Sequence, residues 1–403
     1  MPTRIPIGDF PLGKEEKKAL HRVIESGRIT MGREVRAFEE EFAAYCGTRH
    51  CVATSSGTSA LMVGLRALGV SKQFPFTIGA RVLVPALTFI ATANAVELAG
   101  FRIMFGDIEP KTMCLDPAEI AKTRTEIVMP VHLAGYGADM KRIVAECTKH
   151  QRYLVEDACE AHGTTIDGKR AGTFGVWGAF SFYIAHTVQA GELGCIVTDS
   201  AEVAQVARQL RAHGRSCTCR VCTRSTTGCP HLGEGMDPRF LSEYVGWNAK
   251  PNEFFAALAR VQLTHIDDNI GQRKLIRTTL RGALYRLVEE AYVEPFIYQP
   301  ESVPMIFPII LKKSGYRDRV VAELEARGVE ARPLFGCIPT QQPAYAGTED
   351  APRMRAIYLE RGLPVAEHYG ADGFYVGCHQ YLSAEQVGRM VETIRDVITE
   401  VVS

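Results

Sequence analysis

Apolar positions along this chain recur at helical spacing in some stretches and in short unbroken runs in others. Between 13 and 28, Leu20, Val23 and Ile24 share one face with Gly27 just past them, which predicts an amphipathic helix. GRITMGREVRAFEEEFAAYCG repeats the device with a glycine turn, an amphipathic helix and a closing glycine. The short run HCVATSS then reads as a strand, and SSGTSALMVGLRALG as a Gly-Thr turn opening a helix. RVLVPALTFIATANAVELAG reads as a buried strand, a loop and a helix. FRIMFGDIEP and EIVMPVHLAGYGADM give two more strand-and-loop units, and YLVEDACEAHG an apolar strand ending in Asp157. HGRSCTCRVCTRSTTGCPH has neither period. From about residue 253 the chain turns helical through DNIGQRKLIRTTLRGALYRLVEEA, then gives a strand at MIFPIILK and a helix at DRVVAELEARG. The organisation expected is a large domain over residues 1–252, with a cysteine-rich loop at 214–232, and a compact α+β domain over 253–403.

With 403 residues, 46% of them hydrophobic, the chain has material for both cores. Basic and acidic residues balance at 46 each, so charge points to neither a nucleic-acid nor a membrane partner. The N-terminus has no apolar core of signal-peptide length and no later run approaches a membrane span, so a cytoplasmic location is expected. Twelve cysteines are then expected to be buried or to bind metal, because the cytosol keeps thiols reduced. There is no internal repeat, and no G-x-G-x-x-G opens a nucleotide fold.

Three places carry candidate chemistry. The strand, Gly-Thr turn and helix start at Gly57 and Thr58 form a layout that holds phosphate with free backbone N–H groups and the helix dipole, although many α/β proteins have such turns. Asp157 puts a carboxylate at a strand end, with Cys159 two residues on. Cys217, Cys219, Cys222 and Cys229 fall within thirteen residues of one loop, a density typical of zinc or iron-sulfur ligation.

The segment FSFYIAHTVQAGELG, Phe180 to Gly194, resembles the cofactor-lysine segment of pyridoxal phosphate (PLP)-dependent sugar aminotransferases of the DegT/DnrJ/StrS type. The resemblance covers almost the whole chain. It implies an α/β fold of the PLP-dependent transferase fold type I, aspartate aminotransferase-like, whose large domain has a central mixed sheet and whose smaller C-terminal domain is α+β. Where the family has its lysine, this chain has His186. Imidazole forms no stable imine with the cofactor but serves as a general base near neutral pH. The nearest lysines, Lys169 and Lys250, lie in other contexts. A lysine-to-histidine exchange marks the pyridoxamine phosphate (PMP)-dependent 3-dehydratases of nucleotide-linked 4-keto-6-deoxy sugars, and this chain is similar to that subgroup.

By resemblance, Gly57, Thr58 and Ser181 hold the cofactor phosphate, Phe89 of a P-x-x-T-F motif stacks on the pyridine ring, and Asp157 faces the pyridine nitrogen. Glu160 stands where a glutamine often contacts the ring hydroxyl. Asn248 inherits a role on the phosphate of a second subunit, which implies a homodimer; the plainer reading of such an asparagine is a helix N-cap. His132 belongs to a V-H-x-x-G segment and is as readily structural as site-lining; Arg332 and His379 are placed where a small domain closes over substrate.

The 57 residues between Cys159 and Cys217, then one residue and Cys219, reproduce the start of the ligand pattern of CDP-4-keto-6-deoxyglucose 3-dehydrases, which carry a [2Fe-2S] cluster beside PMP. Their fourth cysteine would fall at Thr227, so Cys222 and Cys229 remain the candidates, with Cys229 preferred. The expected activity is C3 dehydration of a keto sugar, with electrons from a separate iron-sulfur flavoprotein reductase or ferredoxin. The alternatives are a cluster-free dehydratase that regenerates PMP with glutamate, and a non-catalytic scaffold with structural zinc. Ile184 in place of a proline, and Leu193 within a G-E-G-G run, depart from the family and put the substrate in question.

Overall fold

The computed structural model describes residues 4–217, 219, 237, 240–346 and 362–403. Cys222 and Cys229 lie outside the described residues. The first part of the chain lays down β1 (His50–Thr54), β2 (Arg81–Pro85), β3 (Arg102–Gly106), β4 (Ile127–Val128), β5 (Tyr153–Leu154) and β6 (Glu156–Asp157). A small hairpin, β7 (Thr165–Ile166) and β8 (Lys169–Arg170), precedes β9 (Gly178–Ser181) and β10 (Gly194–Thr198). Two four-stranded ladders result, in the orders β3-β2-β4-β5 and β1-β10-β9-β6. β5 and β6 are one extended run interrupted at Val155, whose N–H still reaches the Val128 carbonyl at 3.0 Å, so the ladders join into one mixed sheet. Within it only β10 runs against its neighbours, pairing antiparallel with both β1 and β9. The parallel pairs need crossovers, supplied by the helix Ala91–Leu98 between β2 and β3 and the helix Met140–Lys149 between β4 and β5.

Val82, Leu83 and Val84 of β2 are wholly buried, as are Ile127 and Val128 of β4, which is why these strands read as unbroken apolar runs. The helix Gly57–Val70 packs on the sheet through Ala60, Leu61, Val63 and Leu65. A second core, around Leu280, Ile309, Phe374, Met390 and Ile394, lies beneath the antiparallel sheet of β11 (Ile306–Ile310), β12 (Ala331–Pro333) and β13 (Gly373–Gly377), in the order β11-β13-β12. The helices Ile266–Ala283, Arg317–Ala326 and Ala384–Val402 cover it.

The first helix spans Lys14–Ser26 and ends on Gly27 at φ 65°, as its sequence predicts. Its buried stripe is Ala19 and Val23 against Ala257, while Ile24 is 59% exposed, which corrects the expectation that Ile24 faces inward. Seven cysteines, Cys46, Cys51, Cys114, Cys147, Cys195, Cys337 and Cys378, are buried as small core side chains. No helix among the described residues is long and apolar enough to cross a membrane.

The N-terminal segment straps the two parts together. Ile5 pairs with Val329 beside β12, and the Pro6 carbonyl accepts from His379 Nε2 at 3.1 Å. The Ile7 N–H donates to Glu330 at 3.2 Å, and Gly8 lies against Ala185. Asp9 ends the strap, its carbonyl accepting from Gln189 Nε2 at 2.8 Å.

Candidate active site

A cavity of about 380 Å³ opens where the carboxyl end of β6, the end of β9 and the start of the helix Gly57–Val70 meet. Gly57, Thr58, Phe89, Asp157, Cys159, Glu160, Ser181 and His186 all line it, although the chain draws them from four separate stretches.

Asp157 ends β6 because its N–H is still in the ladder, bonded to the Pro130 carbonyl at 3.0 Å, while its side chain has passed the strand's end. The carboxylate accepts from Thr92 Oγ1 at 2.8 Å and from the Cys159 N–H at 3.1 Å. Burial raises its pKa, and those two donors hold the rise down. Glu160 is equally buried, with one oxygen taking the Ala134 N–H; desolvation pushes its carboxyl up to about 8, against the lowering pull of that bond. The Ala134 N–H points inward because the turn after His132 is left-handed, with φ 56° at Ala134 and 85° at Gly135. At Gly135 an added Cβ would lie 2.0 Å from the Val303 carbonyl oxygen, so the V-H-x-x-G glycine is required by a close approach as well as by its φ.

The loop after β9 carries His186. Its Nδ1 lies 3.2 Å from the Tyr183 carbonyl, which can only accept, so Nδ1 carries the proton and Nε2 keeps its lone pair. Burial lowers the imidazole to about 4, the Tyr183 bond opposes this, and Arg273 adds to it. The ring of His162 stands edge-on at 6.1 Å between centroids. Among the described residues no lysine lines the cavity; Lys250 donates to Asn248 Oδ1, and Lys169 lies over the Phe174 ring.

The helix Gly57–Val70 starts at the cavity with Ser56 as its cap, the Ser56 Oγ accepting from the Ser59 N–H at 3.2 Å. The N–H groups of its first turn stay available to an anion. A Cβ on Gly57 would come within 2.5 Å of Ser181 Cβ and 3.0 Å of Cys159 Sγ, so only glycine leaves this seat open. Phe89, 53% exposed, meets Phe335 edge to face with centroids 5.7 Å apart. This glycine cradle, buried carboxylate and exposed aromatic face fit a phosphorylated pyridine.

The other expected residues divide between the cavity and positions away from it. Arg332 lines the cavity and pairs with Glu330 at 2.7 Å. His132 is fully buried behind the sheet, its Nε2 donating to Glu156 at 3.1 Å and its Nδ1 accepting from Ala138, a structural post. His379 is buried on the Pro6 carbonyl and does not line the cavity. Asn248 is exposed, away from the cavity of its own chain. Cys217 and Cys219 are half-buried in the loop after the helix Ala201–Leu210. Among the described residues no three His, Cys, Asp or Glu side chains are grouped to hold a metal.

Sequence reasoning missed Thr92, Tyr375 and Phe335 at this site. Thr92 follows Thr88 by four residues with the two hydroxyls 3.0 Å apart, a contact that only the structure reveals.

The chain matches the model of the DegT/DnrJ/EryC1/StrS aminotransferase family over residues 11–395. It is 31% identical over 394 residues to GDP-perosamine synthase of Caulobacter vibrioides, covering 96% of both chains. It is 30% identical over 404 residues to dTDP-4-dehydro-2,6-dideoxy-D-glucose 3-dehydratase of Saccharopolyspora spinosa, covering 96% of this chain and 85% of the relative. Among solved structures it resembles a GDP-4-keto-6-deoxymannose-3-dehydratase, in a histidine-to-asparagine variant with bound GDP-perosamine, at a TM-score of 0.83 and 26% identity over 97% of this chain and all of the other. Transaminases and 3-dehydratases both occur among the relatives. With a mixed sheet of the fold type I of PLP-dependent transferases and a family match along nearly its whole length, the chain belongs to the DegT/DnrJ/EryC1/StrS aminotransferase family of sugar-modifying enzymes.

Proposed function

We propose that the chain is a PMP-dependent 3-dehydratase of a 4-keto sugar, carried on a nucleotide as in the relatives' substrates. The observation that carries the reading is the cavity without a lysine, in which His186 offers Nε2 as a base from the place of the family's lysine. Gly57, Thr58 and Ser181 would hold the cofactor phosphate, Asp157 the pyridine nitrogen, Phe89 the ring face and Glu160 the ring oxygen. Asn248, exposed on its own chain, is assigned to the phosphate site of a second copy in a homodimer. Bound PMP supplies an amine for the C4 ketone and an electron sink for the bond that is broken.

With PMP held there, His186 Nε2 would be the proton acceptor while Nδ1–H stays on the Tyr183 carbonyl, so the ring keeps its aim as it gains charge. Glu160, held protonated by burial, is a donor to an oxygen beside it. Phe89 and Phe335 meet edge to face on one wall of the cavity. The sugar loses its C3 hydroxyl as water.

The finer part of the proposal is a [2Fe-2S] cluster on Cys159, Cys217, Cys219 and Cys229, supplying electrons singly from a separate reductase. The cysteine spacing supports it, and Cys159 lines the cavity beside Asp157. A cluster-free dehydratase fed by glutamate is the second reading, favoured by the likeness to a GDP-4-keto-6-deoxymannose-3-dehydratase with a trapped PLP-glutamate adduct. The deciding experiment incubates anaerobically purified protein and PMP with GDP-, dTDP- and CDP-linked 4-keto-6-deoxy sugars, with iron and sulfide analysis alongside. Loss of the C3 hydroxyl, abolished in His186→Asn, is expected, with about two irons and two sulfides per chain. Amino transfer to C4 without dehydration, or dehydration that survives His186→Asn, overturns the reading. Turnover without iron or sulfide selects the glutamate-fed enzyme.

A further inference from the structure

The loop that carries His186 has no ladder to satisfy its carbonyls, yet three consecutive ones each receive a donor from a single network. Arg273, on the helix Ile266–Ala283, is wholly buried. Its Nη2 donates to the carbonyls of His186 at 3.0 Å and Ala185 at 3.4 Å. Its Nη1 reaches the Pro304, Met305 and Cys378 carbonyls, and its Nε donates to Gln380 Oε1 at 2.7 Å. Gln380 passes the contact on, its Nε2 lying 3.4 Å from Gln189 Oε1, and Gln189 Nε2 donates to the third loop carbonyl, that of Ile184, and to Asp9. Among the described residues no carboxylate pairs with Arg273.

We infer that Arg273 is a positioning residue for His186, and that with Gln380 and Gln189 it forms one hydrogen-bonded brace, anchored in the small domain, that fixes the loop presenting the base. The inference rests on the reading of His186 as proton acceptor. A guanidinium stripped of water and left without a counter-ion is expensive to bury, by several kcal/mol even after relaxation. A neutral side chain of similar length would fill the same space at less expense, so packing alone does not account for it. What the guanidinium adds is a rigid fork matched to several carbonyls and a fixed positive charge beside an imidazole that must stay neutral to work.

The groups facing His186 are Arg273 from the helix, His162 from the turn after β6 and Tyr183 in its own loop. Asp157, Cys159, Glu160, Glu192, Arg332 and Tyr375 line the same cavity. Arg273 itself also faces Cys378, His379 and Tyr381 after β13. Of these, Arg273 is the one that both bonds the loop and repels a proton on His186.

The test is imidazole NMR of the full chain without cofactor, carrying isotope-labelled histidine, with the His186 signals assigned by their loss in His186→Asn. The unaltered protein is expected to show one His186 tautomer, protonated at Nδ1. Arg273→Met, which loses charge and fork, should mix the tautomers and raise the His186 titration midpoint by about one pH unit or more. Arg273→Lys and Gln380→Leu, which keep the charge but break the brace, should mix the tautomers while leaving the midpoint low. A single unshifted tautomer and an unshifted midpoint in folded Arg273→Met and Gln380→Leu overturn the inference. If Arg273→Met does not fold by circular dichroism, Gln380→Leu decides, and one tautomer retained there overturns it. Turnover surviving in His186→Asn would instead overturn the role of the base and leave the NMR result standing.

Discussion

At Gly57 a single hydrogen atom keeps the anion seat open. Gly57→Ala places a methyl 2.5 Å from Ser181 Cβ, which should cost about 1–3 kcal/mol in overpacking. It should also weaken PMP binding at least tenfold, read by titrating cofactor absorbance; unchanged affinity would remove the seat from this turn. Thr92→Val takes the hydroxyl from Asp157 Oδ2 and should destabilise the cofactor-free chain by about 1–3 kcal/mol in urea unfolding. Single residues proved legible where they are tied to a strand end or a helix start. Asp157 is read from its strand end and Gly57 from its turn and helix start, whereas Ser181 and His186 came by resemblance to the family's motif; all four line the cavity. Thr92 and Arg273 were not legible, because a threonine or an arginine inside a helix announces neither its face nor its distant partner. Tyr375 reaches the cavity from β13, more than two hundred residues after Asp157.

One helix here is capped by a neighbour's side chain in place of its own. The helix Arg33–Cys46 has no capping side chain at Gly32. Glu253, in the first turn of the helix Glu253–Thr264, accepts instead from the N–H groups of Gly32, Glu34 and Val35 at 2.7–3.0 Å. Glu253→Ala strands three buried donors and removes a charge from the positive end of a helix, so urea unfolding should show about 2–4 kcal/mol lost. A loss under 0.5 kcal/mol would mean water replaces the carboxylate. The apolar runs gave β1 to β6 and β11 but neither β10 nor the partners: β1 pairs with β10, with His50 opposite Thr198, and nothing local to either segment says so. The break at Val155 was equally hidden, since YLVED reads as one unbroken strand. The first helix's inner face was misjudged at Ile24 because its period was right while its contact, with Ala257, lies far along the chain.

For the molecule as a whole, the buried titratable groups set opposing slopes of stability with pH. His186 and His379 are both lowered to about 4 chiefly by burial, and burial also holds His162 well below its usual value. Unfolded, each binds a proton near 6.5, so their stabilisation is present above that pH and is lost as pH falls toward 4, at most roughly 3 kcal/mol apiece for the first two. Glu160, raised to about 8, works the other way: its contribution is present below about 4.3 and is lost as pH rises through 8. The cofactor-free chain should therefore be most stable near pH 6.5, with urea midpoints lower at 4.5 and at 8.5. A midpoint that stays level from 6.5 down to 4.5 would show these histidines to be solvated. The strap from Ile5 to Asp9 has a bearing on how the protein is made. Ile7 is a wall of the cavity, yet the strap's partners Val329, Glu330 and His379 are translated more than three hundred residues after it. On the ribosome the strap therefore waits through that stretch of synthesis, and the cavity it walls is not completed before then.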